Sequence, residues 1–268
     1  LRNAARKPLT FKEVTRNKSA SNAIISFIEP HYPIAKDLLM TSSPLTDTQI
    51  NRESFVDFAL QEGVLRFGEF MTKSDRLSPY FFNAGLFNHG ASVKRLGQFY
   101  AQALIDADTP FDMLFGPAYK GISLATSTAM ALAAHPTMAG RDVPFAFNRK
   151  EAKDHGEGGV IVGAPLAGKV VIIDDVVTAG LSVDESVSII RAAGAEPAAV
   201  LIALDRMERA GKEPELSASS AVQEVSLRHG IPVIAIANLE DILSVIRQRP
   251  DFATHESAVM AYRDRYGI

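Results

Sequence analysis

The sequence predicts an α/β domain in which a central, mostly parallel sheet is flanked by helices. Its clearest element is the β-branched run at 169–173, after which apolar residues recur at helical spacing from Val183 to Ile190. A second apolar run at 198–204 completes a βαβ crossover. A similar strand, loop and helix is predicted at 111–134. Both loops are therefore expected at the carboxyl edge of the sheet, where α/β proteins bind ligands.

The other elements follow from the same periodicities. In chain order the pattern predicts a helix at 53–61, a segment at 67–71, an aromatic stretch at 80–82, a helix at 93–107, strands at 143–147 and 233–237, and helices at 239–246 and 258–262. The polar run 149–159, which ends in two glycines, predicts a mobile solvated loop, and 213–220 predicts a linker. The regular alternation favours one domain over 51–268.

Residues 1–50 are predicted to be an appendage, because they lack sustained periodicity and are rich in Ser, Thr, Asn and Pro. Residues 1–39 carry seven Lys or Arg against three Asp or Glu. A basic targeting segment, a nucleic-acid arm and upstream sequence translated from a mistaken start all fit this composition. We favour the third, with Met40 as the native start, and expect a chain that begins there to fold and to keep its activity.

Composition excludes several classes of protein. The chain is 47% hydrophobic, which suffices for a sizeable core, and it has no cysteine, which excludes disulfides, thiolate metal sites and cysteine nucleophiles. Its apolar runs fall short of the roughly 18 residues of a membrane helix. The formal net charge of -3 argues against a general nucleic-acid surface. We therefore predict a cytoplasmic protein that binds neither membrane nor nucleic acid.

The loop after the central strand has the chemistry of a phosphate and sugar site. The small residues Thr178, Ala179, Gly180 and Ser182 leave backbone N–H groups accessible at a helix start, which favours an anion. Asp174 and Asp175 precede them and can accept hydrogen bonds from sugar hydroxyls. A 5-phosphorylated ribose meets both demands. The alternative is that Ser182 only caps the helix, with Glu185 as its capping-box partner, and that the two acids are solvated.

The segment 174–180 resembles the phosphoribosyl diphosphate (PRPP) motif of the type I phosphoribosyltransferases. The segments 78–83, 116–121 and 149–159 match that family separately, and the resemblance extends from about Phe55 to residue 268. It implies the type I fold, with a small hood built from about 51–92 and C-terminal elements. Leu181 departs from the pattern, because relatives carry a small or hydroxylated residue there, so we expect one hydrogen bond to the 5-phosphate to be missing.

The resemblance also implies an activity. A 5-phosphoribosyl group would pass from PRPP to the pyrimidine orotate, giving orotidine 5-phosphate and diphosphate in pyrimidine biosynthesis. Mg²⁺ would arrive bound to PRPP, with no direct protein ligands, and the loop 149–159 would be a lid shared across a homodimer. Two rival functions are a phosphoribosyltransferase for a purine or uracil, and a regulator that senses PRPP without turnover. The lysine-rich lid and the aromatic hood disfavour the first rival, and an intact lid disfavours the second.

The resemblance assigns roles to individual residues. PRPP binding falls to Lys73, Tyr119, Lys120, Arg149, Lys150, Lys153, His155, Asp174, Asp175, Val176, Val177, Thr178, Ala179, Gly180, Leu181 and Ser182. Orotate binding falls to Phe81, Phe82, Thr178 and Arg206, and the catalytic residues are Lys153, Asp174 and Asp175. Aromatic faces suit a planar base, and a guanidinium suits a carboxylate.

Simpler interpretations remain open at several of these positions. Phe81 and Phe82 could belong to the core, Lys120 could be a surface lysine in a turn, and Arg206 could pair with Glu208 or Asp205. The resemblance further implies a cis peptide between Ala118 and Tyr119. The histidines His31, His89, His135, His229 and His255 lack metal-ligand spacing and are interpreted as structural or surface residues.

Overall fold

The computed structural model describes residues 50–72, 74–138, 140–153 and 159–268, without the side chains of residues 152, 153 and 159. The helices are α1 (Arg52–Gln61), α2 (Gly90–Asp106), α3 (Lys120–Ala134), α4 (Leu181–Ala192), α5 (Ala221–His229), α6 (Leu239–Gln248) and α7 (Glu256–Tyr266). The strands are β1 (Leu65–Met71), β2 (Leu77–Phe82), β3 (Met113–Gly116), β4 (Phe145–Lys153), β5 (Gly159–Gly163), β6 (Lys169–Ile173), β7 (Glu196–Asp205), β8 (Arg209–Lys212), β9 (Glu215–Ser220) and β10 (Val233–Asn238).

Six strands form the central sheet, in the order β10-β7-β6-β3-β4-β5. All neighbours are parallel except β4 and β5, so the predicted mostly parallel sheet is confirmed. Both faces of β6 are covered, which explains its unbroken apolar run. Val171 and Ile173 pack into one hydrophobic cluster, and Val170 and Ile172 pack into the other.

Helices on the two faces supply these clusters. Leu96 and Leu104 of α2 join the first cluster, and Val183 and Val187 of α4 join the second. The helices α2 and α3 approach so closely that a Cβ on Gly97 would lie 2.4 Å from the carbonyl oxygen of Ser127. Glycine is therefore required at that crossing. Within the described parts of the chain, no helix has the length and apolar character needed to cross a membrane.

The antiparallel hairpin of β1 and β2 packs against the C-terminal helical segment. The ring of Phe67 stacks on His255 at 5.0 Å between centroids, and Tyr80 meets Tyr262 edge-on at 6.2 Å. Residues near the start and the end of the described domain therefore form one aromatic layer. The appendage predicted for 1–50 lies outside the described residues except for residue 50, and the domain boundary at 51 stays a prediction.

Two sequence predictions about loops are wrong for the residues that the structure describes. Residues 149–153 continue β4, and Gly159–Gly163 forms the antiparallel partner β5, so much of the predicted solvated loop is a hairpin arm. The predicted linker at 213–220 is mostly β9, which pairs with β8. Both hairpins are held by backbone hydrogen bonds, which polar side chains do not prevent. The helix α5 was also missed.

Candidate active site

The loops that follow β3, β6 and β7 come from adjacent parallel strands and reach the same edge of the sheet. Lys120, just after β3, places its Nζ 2.7 Å from Oδ2 of Asp175, just after β6. The loop after β3 is therefore in direct contact with the carboxylate that the sequence predicts to bind a sugar. Arg206 directly follows β7.

The loop after β3 turns tightly because two glycines lie against each other. A Cβ on Gly116 would be 2.0 Å from the carbonyl oxygen of Gly121, so no larger residue fits. The peptide between Ala118 and Tyr119 is cis, as the resemblance implied. The Tyr119 side chain is 75% exposed, and the Ala118 N–H donates to Oδ1 of Asn148 at 2.8 Å. We call residues 117–120 the diphosphate loop, after the ligand group that the resemblance assigns to them.

Asp174 and Asp175 form a buried carboxylate pair. The backbone N–H of Asp175 donates to Oδ1 of Asp174 at 2.9 Å, and the Tyr100 hydroxyl donates to the Asp174 carbonyl at 2.8 Å. Burial, followed by the neighbouring charge of Asp175, raises the pKa of Asp174 to about 6, although hydrogen bonds from Asp175 and Ser182 oppose the rise. The solvated alternative for these acids is therefore wrong, since both are buried.

The loop from Val176 to Gly180 leads into α4. Gly180 is the N-cap of that helix, with a left-handed φ of +76°, and a Cβ there would lie 2.6 Å from Cγ2 of Val225. Ser182 does not cap the helix, because it is the second residue of α4 and Gly180 is the N-cap. Thr178 and Ala179 are exposed, whereas Val176 and Val177 pack against the core, which leaves only their backbone for a ligand. We call residues 176–182 the phosphate loop.

Leu181 is the first residue of α4, and 73% of it is exposed. Its side chain offers no hydrogen-bond donor at the position where the resemblance anticipates a hydroxyl or a small residue. The departure identified in the sequence thus lies on the accessible surface of the phosphate loop.

Arg206 lies in a cluster of charged and aromatic side chains. Its Nη2 is 2.6 Å from Oε1 of Glu208 and 3.2 Å from the Ser78 hydroxyl, and its guanidinium lies over the Tyr80 ring at 5.1 Å. Arg76 pairs with the same Glu208 at 3.5 Å. Two guanidinium groups thus share one carboxylate, which leaves an excess positive charge for an anionic ligand. The pairing with Glu208 considered from the sequence is present.

Phe81 and Phe82 point to opposite sides of β2 and differ in exposure. Phe81 is 39% exposed and stacks on Phe70 at 5.4 Å between ring centroids. Phe82 is partly buried and lies 6.3 Å from the Phe55 ring. The core interpretation therefore holds in part for Phe82, while Phe81 has a ring surface available to a ligand.

The predicted lid residues are only partly described. Arg149 and Lys150 lie on β4, and Nζ of Lys150 is 3.4 Å from Oε2 of Glu185 on α4. Lys73, His155 and the side chain of Lys153 lie outside the described residues, so their assignments stay predictions. The described parts of the chain contain no group of three or more His, Asp or Glu that could hold a metal ion.

Sequence reasoning missed several side chains around the site. Tyr100 and Asn148 were not singled out, and Glu185 was considered only as a capping partner. Asn148 is 1% exposed, and its amide nitrogen donates to Oε1 of Glu185 at 3.2 Å. The alternation of β4 places Asn148 on the same face as the buried Ala146, and a polar residue at such a position is a usable signal.

Comparison with known proteins identifies the family of the domain that carries this site. A family model described as the phosphoribosyl transferase domain matches residues 84–226, which covers the sheet edge with all three loops. The fold and the site thus define a phosphoribosyltransferase.

Relatives narrow this class. The orotate phosphoribosyltransferase of Bordetella pertussis is 71% identical over 214 residues, which are 80% of this chain and 96% of that protein. That of Herminiimonas arsenicoxydans is 63% identical over 220 residues, covering 81% and 98%. The crystal structure of orotate phosphoribosyltransferase from Francisella tularensis is 42% identical, with a TM-score of 0.70 over 80% of this chain and 100% of that one. The chain belongs to the orotate phosphoribosyltransferase family.

Proposed function

We propose that this chain transfers the 5-phosphoribosyl group of PRPP to orotate, giving orotidine 5-phosphate and diphosphate in pyrimidine nucleotide synthesis. One observation carries the proposal: a buried carboxylate pair lies between a helix start that has no side-chain cap and a cationic loop at one sheet edge. These three features suit the ribose hydroxyls, the 5-phosphate and the diphosphate of a single PRPP molecule.

The chemistry requires positioning more than a nucleophilic side chain. Bond breaking at the anomeric carbon gives a cation-like sugar and a departing diphosphate, so the site works by holding the partners in line and stabilising the leaving group. Asp174 and Asp175 bind the ribose hydroxyls. The phosphate loop binds the 5-phosphate through its backbone N–H groups. Lys120 leaves Asp175 and turns to the diphosphate when PRPP arrives.

The base is held by the hairpin β1 and β2 together with Arg206. The planar ring of orotate lies against Phe81, with Phe82 behind it, and Thr178 contributes from the phosphate loop. Arg206 binds the orotate carboxylate with the positive charge that it and Arg76 retain after sharing Glu208.

A metal ion and the lid complete the binding site for the diphosphate. Mg²⁺ bound to PRPP would neutralise charge on the leaving group, and the oxygens of Asp174 and Asp175 suit the water shell of such a hard cation. Lys73, Arg149, Lys150, Lys153 and His155 supply further positive charge. We propose that the lid comes from the second subunit of a homodimer, and that the enzyme works in the cytoplasm.

The activity is tested by following product formation from PRPP and orotate, with and without Mg²⁺, and with uracil or hypoxanthine in place of orotate. Turnover that requires orotate and Mg²⁺ supports the proposal. Turnover with another base, or PRPP binding without any turnover, contradicts it in favour of one of the rival functions.

Lid sharing is tested with two inactive variants, Lys153→Ala and Asp175→Asn. If each site combines Lys153 of one chain with Asp175 of the other, co-refolding equal amounts makes about half the dimers mixed, each with one intact site. Activity should then recover to about a quarter of wild type. A mixture that stays inactive, although a tag confirms mixed dimers, would show that the lid serves its own subunit.

A further inference from the structure

The side chain of Asn148 joins two loops of the site. It is 1% exposed on β4, and its Oδ1 accepts the N–H of Ala118 in the diphosphate loop at 2.8 Å. Its Nδ2 donates to Oε1 of Glu185, one turn into the helix that the phosphate loop starts, at 3.2 Å. One buried carboxamide therefore joins the diphosphate loop, which follows β3, to helix α4, which follows β6.

The orientation of this carboxamide is fixed by its partners. The Ala118 N–H can only donate and the Glu185 carboxylate can only accept, so a flipped amide would face a donor with a donor and an acceptor with an acceptor. At a buried position both hydrogen bonds must be made, because an unsatisfied polar group there is costly. The buried carboxamide therefore holds the Glu185 side chain, which is otherwise 47% exposed, toward Ala118.

We propose that Asn148 is a positioning residue for PRPP, acting by fixing the distance between the diphosphate loop and the helix start that holds the 5-phosphate. The inference rests on the proposed function, since PRPP is the ligand with anionic groups at both loops. A rigid spacing matters because a misplacement of about 1 Å can cost about 100-fold in rate. Lys150, which lies 3.4 Å from the other oxygen of Glu185, ties the lid strand to the same link.

A polarity swap between positions 148 and 185 tests the inference. Asn148→Asp keeps an acceptor for Ala118 but sets a carboxylate against Glu185. Glu185→Gln keeps an acceptor for Asn148. It is the matched control for the double variant, because both lose the charge of Glu185 beside Lys150. The double variant N148D/E185Q reverses the second bond, since the carboxamide introduced at 185 can donate to the carboxylate introduced at 148, and it has the same net charge as wild type.

The assays follow initial rates at about pH 8.5, where a carboxylate introduced at 148 should be ionised. Asn148→Asp should lower kcat/KM for PRPP by about 100-fold while the KM for orotate stays within about threefold. Glu185→Gln should stay within about fivefold of wild type, and the double variant should return close to that control. Urea unfolding of every variant separates these effects from loss of folded protein.

Several results would overturn the inference. These are an unchanged kcat/KM for PRPP in Asn148→Asp, a double variant as impaired as Asn148→Asp, or equal losses toward PRPP and orotate. If Asn148→Asp does not fold, Asn148→Ser takes its place, and a PRPP affinity equal to wild type in that variant is equally decisive. Calorimetric titration with PRPP keeps the test independent of turnover, so an inactive wild type would contradict the proposed function and not this link.

Discussion

Removing the charge of Asp174 should make the folded protein more stable at neutral and alkaline pH. Burial and the neighbouring charge of Asp175 raise its pKa from 3.8 to about 6, so the folded state favours the neutral carboxyl more than the unfolded chain does. At about 1.4 kcal/mol per pKa unit, the difference between these two pKa values corresponds to about 3 kcal/mol by which the ionised group destabilises the folded state. The stability contributed by the protonated group is present below about pH 4 and is lost as the pH rises through about 6.

The substitution Asp174→Asn leaves an acceptor for the N–H of Asp175, which now binds Oδ1 at 2.9 Å. Because the new amide must find partners of its own, we expect a net gain of about 1 to 3 kcal/mol at pH 8. The gain should be smaller by about 1.5 kcal/mol at pH 5, because about half of the ionisation penalty has gone there while the cost of the amide does not depend on pH. Urea unfolding at both pH values measures it, with the exposed Asp251→Asn as control, and turnover should be lost. A gain that is absent, or that does not depend on pH, would refute the reasoning.

Three further substitutions test the loops. Leu181→Thr restores a hydroxyl at an exposed position and should tighten PRPP binding by about 0.5 to 1.5 kcal/mol in calorimetry; unchanged affinity would mean that the phosphate is already satisfied. Gly180→Ala puts a methyl group against Val225 at positive φ, and should lower the free energy of unfolding by about 1 to 3 kcal/mol and weaken PRPP binding; wild-type stability would contradict the tight approach. Arg206→Lys keeps the charge but loses the planar fork, and should raise the KM for orotate by about tenfold with little change for PRPP; equal effects on both would argue against a role in base binding.

The central part of the fold could be predicted because its strands are buried on both faces. Such strands are continuous apolar runs, and the intervening helices carry apolar residues at helical spacing. The hairpins β4–β5 and β8–β9 could not be predicted in the same way. Their strands carry exposed polar side chains, as at Lys150 and Glu215, and only the backbone pairing defines them.

The layout of the candidate site could be predicted where one continuous segment supplies it, as in the phosphate loop. It was not predicted where the contact joins residues far apart in the sequence. Tyr100 lies 74 residues from Asp174 and Asn148 lies 30 residues from Ala118, and these pairs meet only through the order and register of the strands. Local sequence patterns carry no information on such distances.

The order of the strands has a consequence for how the protein acquires its binding site during folding. β6 lies between β3 and β7, and its pairing with β3 joins Met113 to Val170 across 57 positions of the chain. Such long-range parallel pairing is slow, because a large loop must close before any contact compensates for the lost entropy. After dilution from denaturant, the capacity to bind PRPP should therefore return only when both neighbours of β6 are in place. Since PRPP would bind only the folded chain, excess PRPP should shift the folding equilibrium toward the state in which β6 is paired on both sides.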